Sequence, residues 1–74
     1  MAKFSNVECI TSYGNLEYVI QTKLTSVEEL NEIILIVMDE YKGTVSLFES
    51  YIFCKFQEYE TAALFKMTWE LVHE

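Results

Sequence analysis

The side chains that could perform nucleophilic or acid–base chemistry are few in this sequence and lie far apart. His73 is the only histidine and stands next to the last residue, where we expect a mobile side chain. The two cysteines, Cys9 and Cys54, have no histidine placed to activate a thiol. Neither a Cys-x-x-Cys nor a His pair provides the spacing of a zinc site. This inventory predicts a protein that is not an enzyme and that uses no cofactor or metal.

Carboxylates are the one reactive group that clusters. Glu28 and Glu32 are one helical turn apart, a spacing at which two carboxylates can share acid–base work. The sequence places no apolar pocket beside them that would raise a pKa, so we interpret them as solvated surface. Together with Glu29, Asp39 and Glu40, they indicate a site for binding rather than for catalysis.

The clustered carboxylates belong to a segment, Ser26 to Gly43, whose pattern predicts a single amphipathic helix. Apolar residues recur there at spacings of three and four: Val27, Leu30, Ile33, Ile34, Val37, Met38 and Tyr41. The segment begins with hydroxyl residues that are followed three positions later by glutamates, which is a capping box. It ends with Lys42 and then Gly43, and a glycine just past a helix typically takes the left-handed conformation.

A helix of regular geometry would turn Ile36 outward, among the carboxylates. Its buried arc would consist of Val27, Leu30, Ile34, Val37 and Tyr41. An apolar side chain surrounded by charges is the arrangement of a binding hot spot, in which the centre supplies affinity and the charges steer the approach. The predicted partner-binding residues are Glu28, Glu29, Glu32, Ile36, Asp39 and Glu40. A contact with a second protomer, or simple exposure, would also explain Ile36.

Strand patterns precede this helix. Residues Leu16 to Leu24 alternate regularly and predict a strand, with which Lys3 to Thr11 can pair as a hairpin. The turn between them is expected at Ser12–Asn15, where Gly14 and Asn15 accept a positive φ.

The last third of the chain allows two interpretations. Tyr51 to Gln57 and Phe65 to Leu71 both favour strands, with the polar Glu58–Thr61 as the turn. The result is an α+β fold, a small antiparallel sheet with one amphipathic helix across one face, in the order β-β-α-β-β. The alternative, β-β-α-α-β, makes Val45 to Tyr59 a second helix, because apolar residues there are also spaced for a helix and no Gly or Pro interrupts them.

The size and charge of the chain further limit the classes of function that fit it. The 74 residues are expected to form one domain, 1–74. The net charge is −7 and the five basic residues are all lysines, which argues against direct binding to nucleic acid or to an anionic membrane. No apolar stretch is long enough to span a bilayer, and the cysteines are expected to be buried free thiols. We therefore expect a cytoplasmic protein, located in the host cytoplasm if a phage encodes it.

Two functions of different classes fit these features. In size and charge the chain resembles phage-encoded antagonists of bacterial defence and nucleic-acid enzymes, such as anti-CRISPR proteins, DNA mimics and inhibitors of uracil-DNA glycosylase. The resemblance implies that the helix carboxylates stand in for phosphates on a basic surface of a nucleic-acid-handling protein. The alternative is a homo-oligomeric regulatory or assembly subunit, an antitoxin or adaptor, which forms a homodimer through a sheet edge and exposed aromatics.

Overall fold

The computed structural model of the chain describes residues 3–73. Its elements, in chain order, are β1 (Glu8–Ser12), β2 (Asn15–Lys23), α1 (Val27–Leu35), a π-helical segment (Ile36–Glu40), β3 (Thr44–Phe48), β4 (Tyr51–Phe56) and α2 (Tyr59–His73). The predicted α+β class is confirmed, with a four-stranded antiparallel sheet. Where the sequence predicted a final strand, the structure has a second helix.

The sheet has the strand order β1-β2-β4-β3, so two hairpins lie side by side with β2 and β4 in the middle. Both helices pack on one face of this sheet. The fully buried core joins strand and helix residues: Ile20, Ile52, Cys54, Phe56, Ile33, Val37, Ala62, Phe65 and Trp69, together with Phe4 from the segment before β1. The predicted strand Tyr51–Gln57 corresponds to β4, and the alternative helix over Val45–Tyr59 is wrong.

The first hairpin is confirmed, and its turn lies at Ser12–Asn15 as predicted. Ser12 pairs with Asn15, so the two central turn residues are Tyr13 and Gly14. Their φ angles are +52° and +81°. A two-residue hairpin turn with positive φ at both positions matches the right-handed twist of the strands, and Tyr13 rather than Asn15 takes the second positive φ beside Gly14.

Helix α1 begins as predicted and ends differently. The Ser26 side chain caps it by accepting a hydrogen bond of 3.1 Å from the Glu29 backbone N–H. At the other end Lys42, not Gly43, takes the left-handed conformation, with φ +57°. The Gly43 N–H then donates to the Val37 carbonyl at 2.9 Å. This bond is one residue longer than the closing bond of a Schellman motif, because it follows a π-helical turn.

Gly43 is needed for space rather than for its φ angle. A Cβ at this position would lie 2.7 Å from the Lys55 carbonyl oxygen and 3.0 Å from the Phe56 ring. The chain therefore passes from the π-helical segment into β3 at a distance from β4 that only glycine allows.

The predicted orientation of α1 is partly wrong. Val27, expected in the buried arc, is 66% exposed, while Ile33 and Val37 are fully buried. Ile36, expected to point away from the core, is half-buried and packs against it. Two features that the sequence pattern does not contain explain the position of Ile36. A second helix lies beside α1, and the wider π-helical turn shifts the phase of the residues after Leu35.

The final segment is helix α2, so the predicted strand Phe65–Leu71 and the predicted turn Glu58–Thr61 are both wrong. The alternation that suggested a strand also contains Phe65 and Trp69, which are four residues apart and share one side of a helix. Both are buried, whereas Leu71 is 74% exposed, a pattern that fits a helix and not a strand. The sheet face needs a second helix beside α1, because α1 alone is too short to cover it.

The close approach at Gly43 makes a prediction about stability. Gly43→Ala should lower the free energy of unfolding by about 1–3 kcal/mol, because the added methyl group meets backbone and an aromatic ring. Lys42→Gly should instead raise it by up to about 1 kcal/mol, because it relieves a positive φ. Urea unfolding of the two variants measures both effects. Equal destabilisation by both would contradict this geometry.

The helical assignment of the last segment makes a second prediction. Phe65→Ala should destabilise the protein by about 3–5 kcal/mol, as expected for a buried ring, whereas Leu71→Ala should change stability by no more than about 0.5 kcal/mol. Thermal or urea unfolding separates the two variants. Similar large losses for both would indicate a strand with Phe65 and Leu71 on the same face.

Candidate protein-interaction surface

The predicted carboxylates lie on one side of α1 and its π-helical continuation. We call this side the acidic flank; it comprises Glu28, Glu29, Glu32, Asp39 and Glu40. Four of these residues are exposed and Glu29 is half-buried. Glu29 accepts a hydrogen bond from the Thr25 hydroxyl, which orders the first turn. The flank places five acidic groups within about 20 Å, at 1.5 Å of rise per residue.

A groove runs between this flank and α2. Its lining comprises Glu32, Ile36, Glu40 and Tyr41 from the first helical region and Phe65, Thr68, Trp69 and Val72 from α2, and its volume is about 220 Å³. We call it the interhelical groove. Three of the six predicted partner-binding residues, Glu32, Ile36 and Glu40, therefore belong to its wall. The other three lie outside the groove on the acidic flank.

The π-helical segment helps to align the groove wall. Its wider turn is closed by a bond from the Tyr41 N–H to the Ile36 carbonyl, at 3.3 Å. Each residue of a π-helix turns less than in an α-helix, which counteracts the drift of residues spaced four apart. Glu32, Ile36 and Glu40 therefore stay on one line along the groove. Single π-helical turns inside α-helices are frequent at functional sites.

The groove combines apolar surface with negative charge. Ile36, Tyr41, Phe65, Trp69 and Val72 offer apolar surface, while the carboxylates of Glu32 and Glu40 stand beside it. Such a groove suits a partner residue whose side chain has an apolar stem or ring and lies next to a basic group.

The α2 side of the groove was missed at the sequence level. Phe65 and Trp69 are buried in the core, and they also form the floor of the groove. Thr68 and Val72 had no predicted role. The spacing of Phe65, Trp69 and Val72 at intervals of four and three matches one helical face and was the pattern that could have revealed it.

The two thiols differ in their exposure. Cys9 is exposed and Cys54 is buried, so the expectation that both are buried is wrong for Cys9. Burial raises the pKa of the Cys54 thiol from its ordinary value of 9.0 to about 12, which keeps it protonated and a poor nucleophile. Within residues 3–73, no three His, Cys, Asp or Glu side chains come together as a metal site. The His73 side chain lies outside the described part.

No helix in residues 3–73 combines the length and the apolar character needed to cross a membrane. The sequence matches no protein-family model, and comparison with curated proteins and with solved structures finds no match.

The difference between the two thiols makes a third prediction. A disulfide-forming reagent at mildly alkaline pH should modify Cys9 quickly, and Cys54 only after denaturation. Because the folded pKa of Cys54 lies above its unfolded value, its contribution to stability should be lost as pH rises through about 9 to 12. Thiol titration of wild type and of Cys9→Ser measures the labelling. Fast labelling of folded Cys9→Ser would contradict the burial of Cys54.

Proposed function

We propose that this chain is a non-enzymatic protein-interaction domain that binds a basic surface of another protein through the acidic flank and the interhelical groove. In its most specific form the proposal is an antagonist, of the anti-CRISPR or DNA-mimic kind that phages encode, acting in the cytoplasm on a nucleic-acid-handling protein. The observation that carries the proposal is the groove, in which an apolar floor lies directly beside carboxylates.

The size of the groove favours a side chain as its occupant. Pockets for small-molecule substrates and cofactors usually measure about 300–1,000 Å³, whereas this one measures about 220 Å³. A groove of this size holds one or two side chains of a partner. The partner therefore supplies the anchor and this chain supplies the pocket, which reverses the role first expected for Ile36.

The charge of the chain favours a basic partner. With a net charge of −7 and five carboxylates on one flank, the domain attracts lysine- and arginine-rich surfaces. Proteins that handle nucleic acid carry such surfaces to hold phosphates. Carboxylates of the acidic flank would compete for the same cations, and the binding would weaken as salt rises.

A second candidate, the homo-oligomeric regulatory or assembly subunit, is favoured by a different observation. Several large apolar side chains are exposed on the sheet and on the helices, among them Phe48, Leu64 and Met67. Exposed apolar surface of this kind often marks contacts between subunits.

A pair of charge-matched variants tests the antagonist proposal. Glu32→Lys/Glu40→Lys reverses both groove carboxylates, and Glu58→Lys/Glu60→Lys reverses two exposed carboxylates at the start of α2, with the same change in net charge. Each protein, shown to be folded by circular dichroism, is immobilised and exposed to host lysate. A retained protein is then identified, purified and titrated.

The expected result is a nucleic-acid-handling partner whose affinity falls at least about tenfold, ~1.4 kcal/mol, for the groove variant and little for the control. Thr68→Trp, which fills the groove without changing charge, should weaken binding as well. Nucleic acid should compete with this domain for the partner. Equal losses in both charge variants, or a partner indifferent to nucleic acid, would contradict the proposal.

A further inference from the structure

The sheet face that points away from the helices has a composition of its own. Side chains alternate between the two faces of a strand, so the register places on this open face the residues between the core positions. Its apolar members are Ile10, Val19, Phe48, Tyr51 and Phe53. Neither helix of the described chain covers them, because both helices pack on the other face.

Charge on the open face is balanced, in contrast to the rest of the chain. Glu8 and Glu17 lie on this face together with Lys23 and Lys55. Two of the five lysines are therefore found here, although the chain as a whole carries a net charge of −7. A second copy can approach this face without the repulsion that the acidic flank would impose.

The positions of these charges are self-complementary. Glu17 and Lys23 lie on the same face of β2, separated by about 20 Å at 3.3 Å per residue. We consider a twofold axis that lies between the two sheets, perpendicular to β2, and passes between Val19 and Gln21. This axis places Glu17 of one copy opposite Lys23 of the other. The symmetry repeats this pair, as required for an isologous contact. The same axis sets Phe53 opposite Lys55 of the second copy, a suitable partner for an aromatic ring.

We propose that two copies of this chain pack through their open faces about this twofold axis, with Val19 and Phe53 at the centre and two Glu17–Lys23 pairs at the ends. Two sheets in face-to-face contact lie about 10 Å apart with nearly aligned strands. The interhelical groove is on the opposite side of each sheet. The dimer therefore leaves the groove open, and neither proposal depends on the other.

Exchange of the paired charges tests the dimer. Glu17→Lys and Lys23→Glu each set like charges against one another in a homodimer. In a mixed dimer the two substituted side chains face each other with opposite charges, and the native Lys23 of one variant faces the native Glu17 of the other. Sedimentation equilibrium should show a dimer for the wild type, a dissociation constant at least about tenfold weaker for each variant alone, and recovery in the equimolar mixture.

Arginine substitutions at two uncharged positions provide a second, independent test of the dimer. Ser46→Arg adds a bulky side chain to the open face, and Thr11→Arg adds the same side chain to the other face of the sheet, with both positions exposed. Ser46→Arg should weaken the dimer and Thr11→Arg should not. A wild type that stays monomeric, a mixture that fails to recover, or equal effects of the two arginine variants would each overturn the proposal.

Discussion

The packing of one aromatic ring, that of Phe65, holds the parts of this molecule together. Its centroid lies 5.3 Å from that of Phe4, 5.4 Å from Tyr41, 5.8 Å from Phe56 and 6.0 Å from Trp69. These rings come from the segment before β1, the end of the π-helical segment, β4 and α2. Contacts of this kind contribute about 0.5–1.5 kcal/mol each beyond the area that they bury. In a chain of 74 residues, a cluster of this size is a large share of the core.

This cluster also decides the shape of the candidate site. Because Phe65 of α2 contacts Tyr41, α2 is held beside the end of the first helical region. The space that remains between the two helices is the interhelical groove. Its floor is thus formed by the same rings that stabilise the fold, and its wall by the neighbouring turns of α1 and the π-helical segment. The stability of the fold and the shape of the candidate site therefore depend on the same contacts.

Because both helices cover the same face of the sheet, this small chain has two surfaces of different chemistry. The helical side carries the acidic flank and the groove, which suit a partner of opposite charge. The open face carries apolar residues with both signs of charge, which suit a surface like itself. A domain of this size has little interior, so much of its apolar content lies outside. The two surfaces are on opposite sides of the sheet, and both can be occupied in the same complex.

The sequence alone was enough to predict those features that depend on neighbouring residues. The α+β class, the first hairpin, the Ser26 cap of α1 and strand β4 follow from alternation, turn residues and capping, which act over a few positions. The presence of five carboxylates on one helix was equally visible, since it depends only on the helical period.

The tertiary structure decided the rest, because it depends on what packs against each element. The stretch around Phe65 and Trp69 alternates like a strand and also repeats like a helix, and only the need to cover the sheet and to meet Phe4, Tyr41 and Phe56 selects the helix. With α2 in this place, Ile36 lies in the wall of a groove instead of on the outer surface. Glycine is the residue type most common in left-handed turns, but Gly43 is needed because β4 passes close to it. No local sequence pattern can indicate this contact.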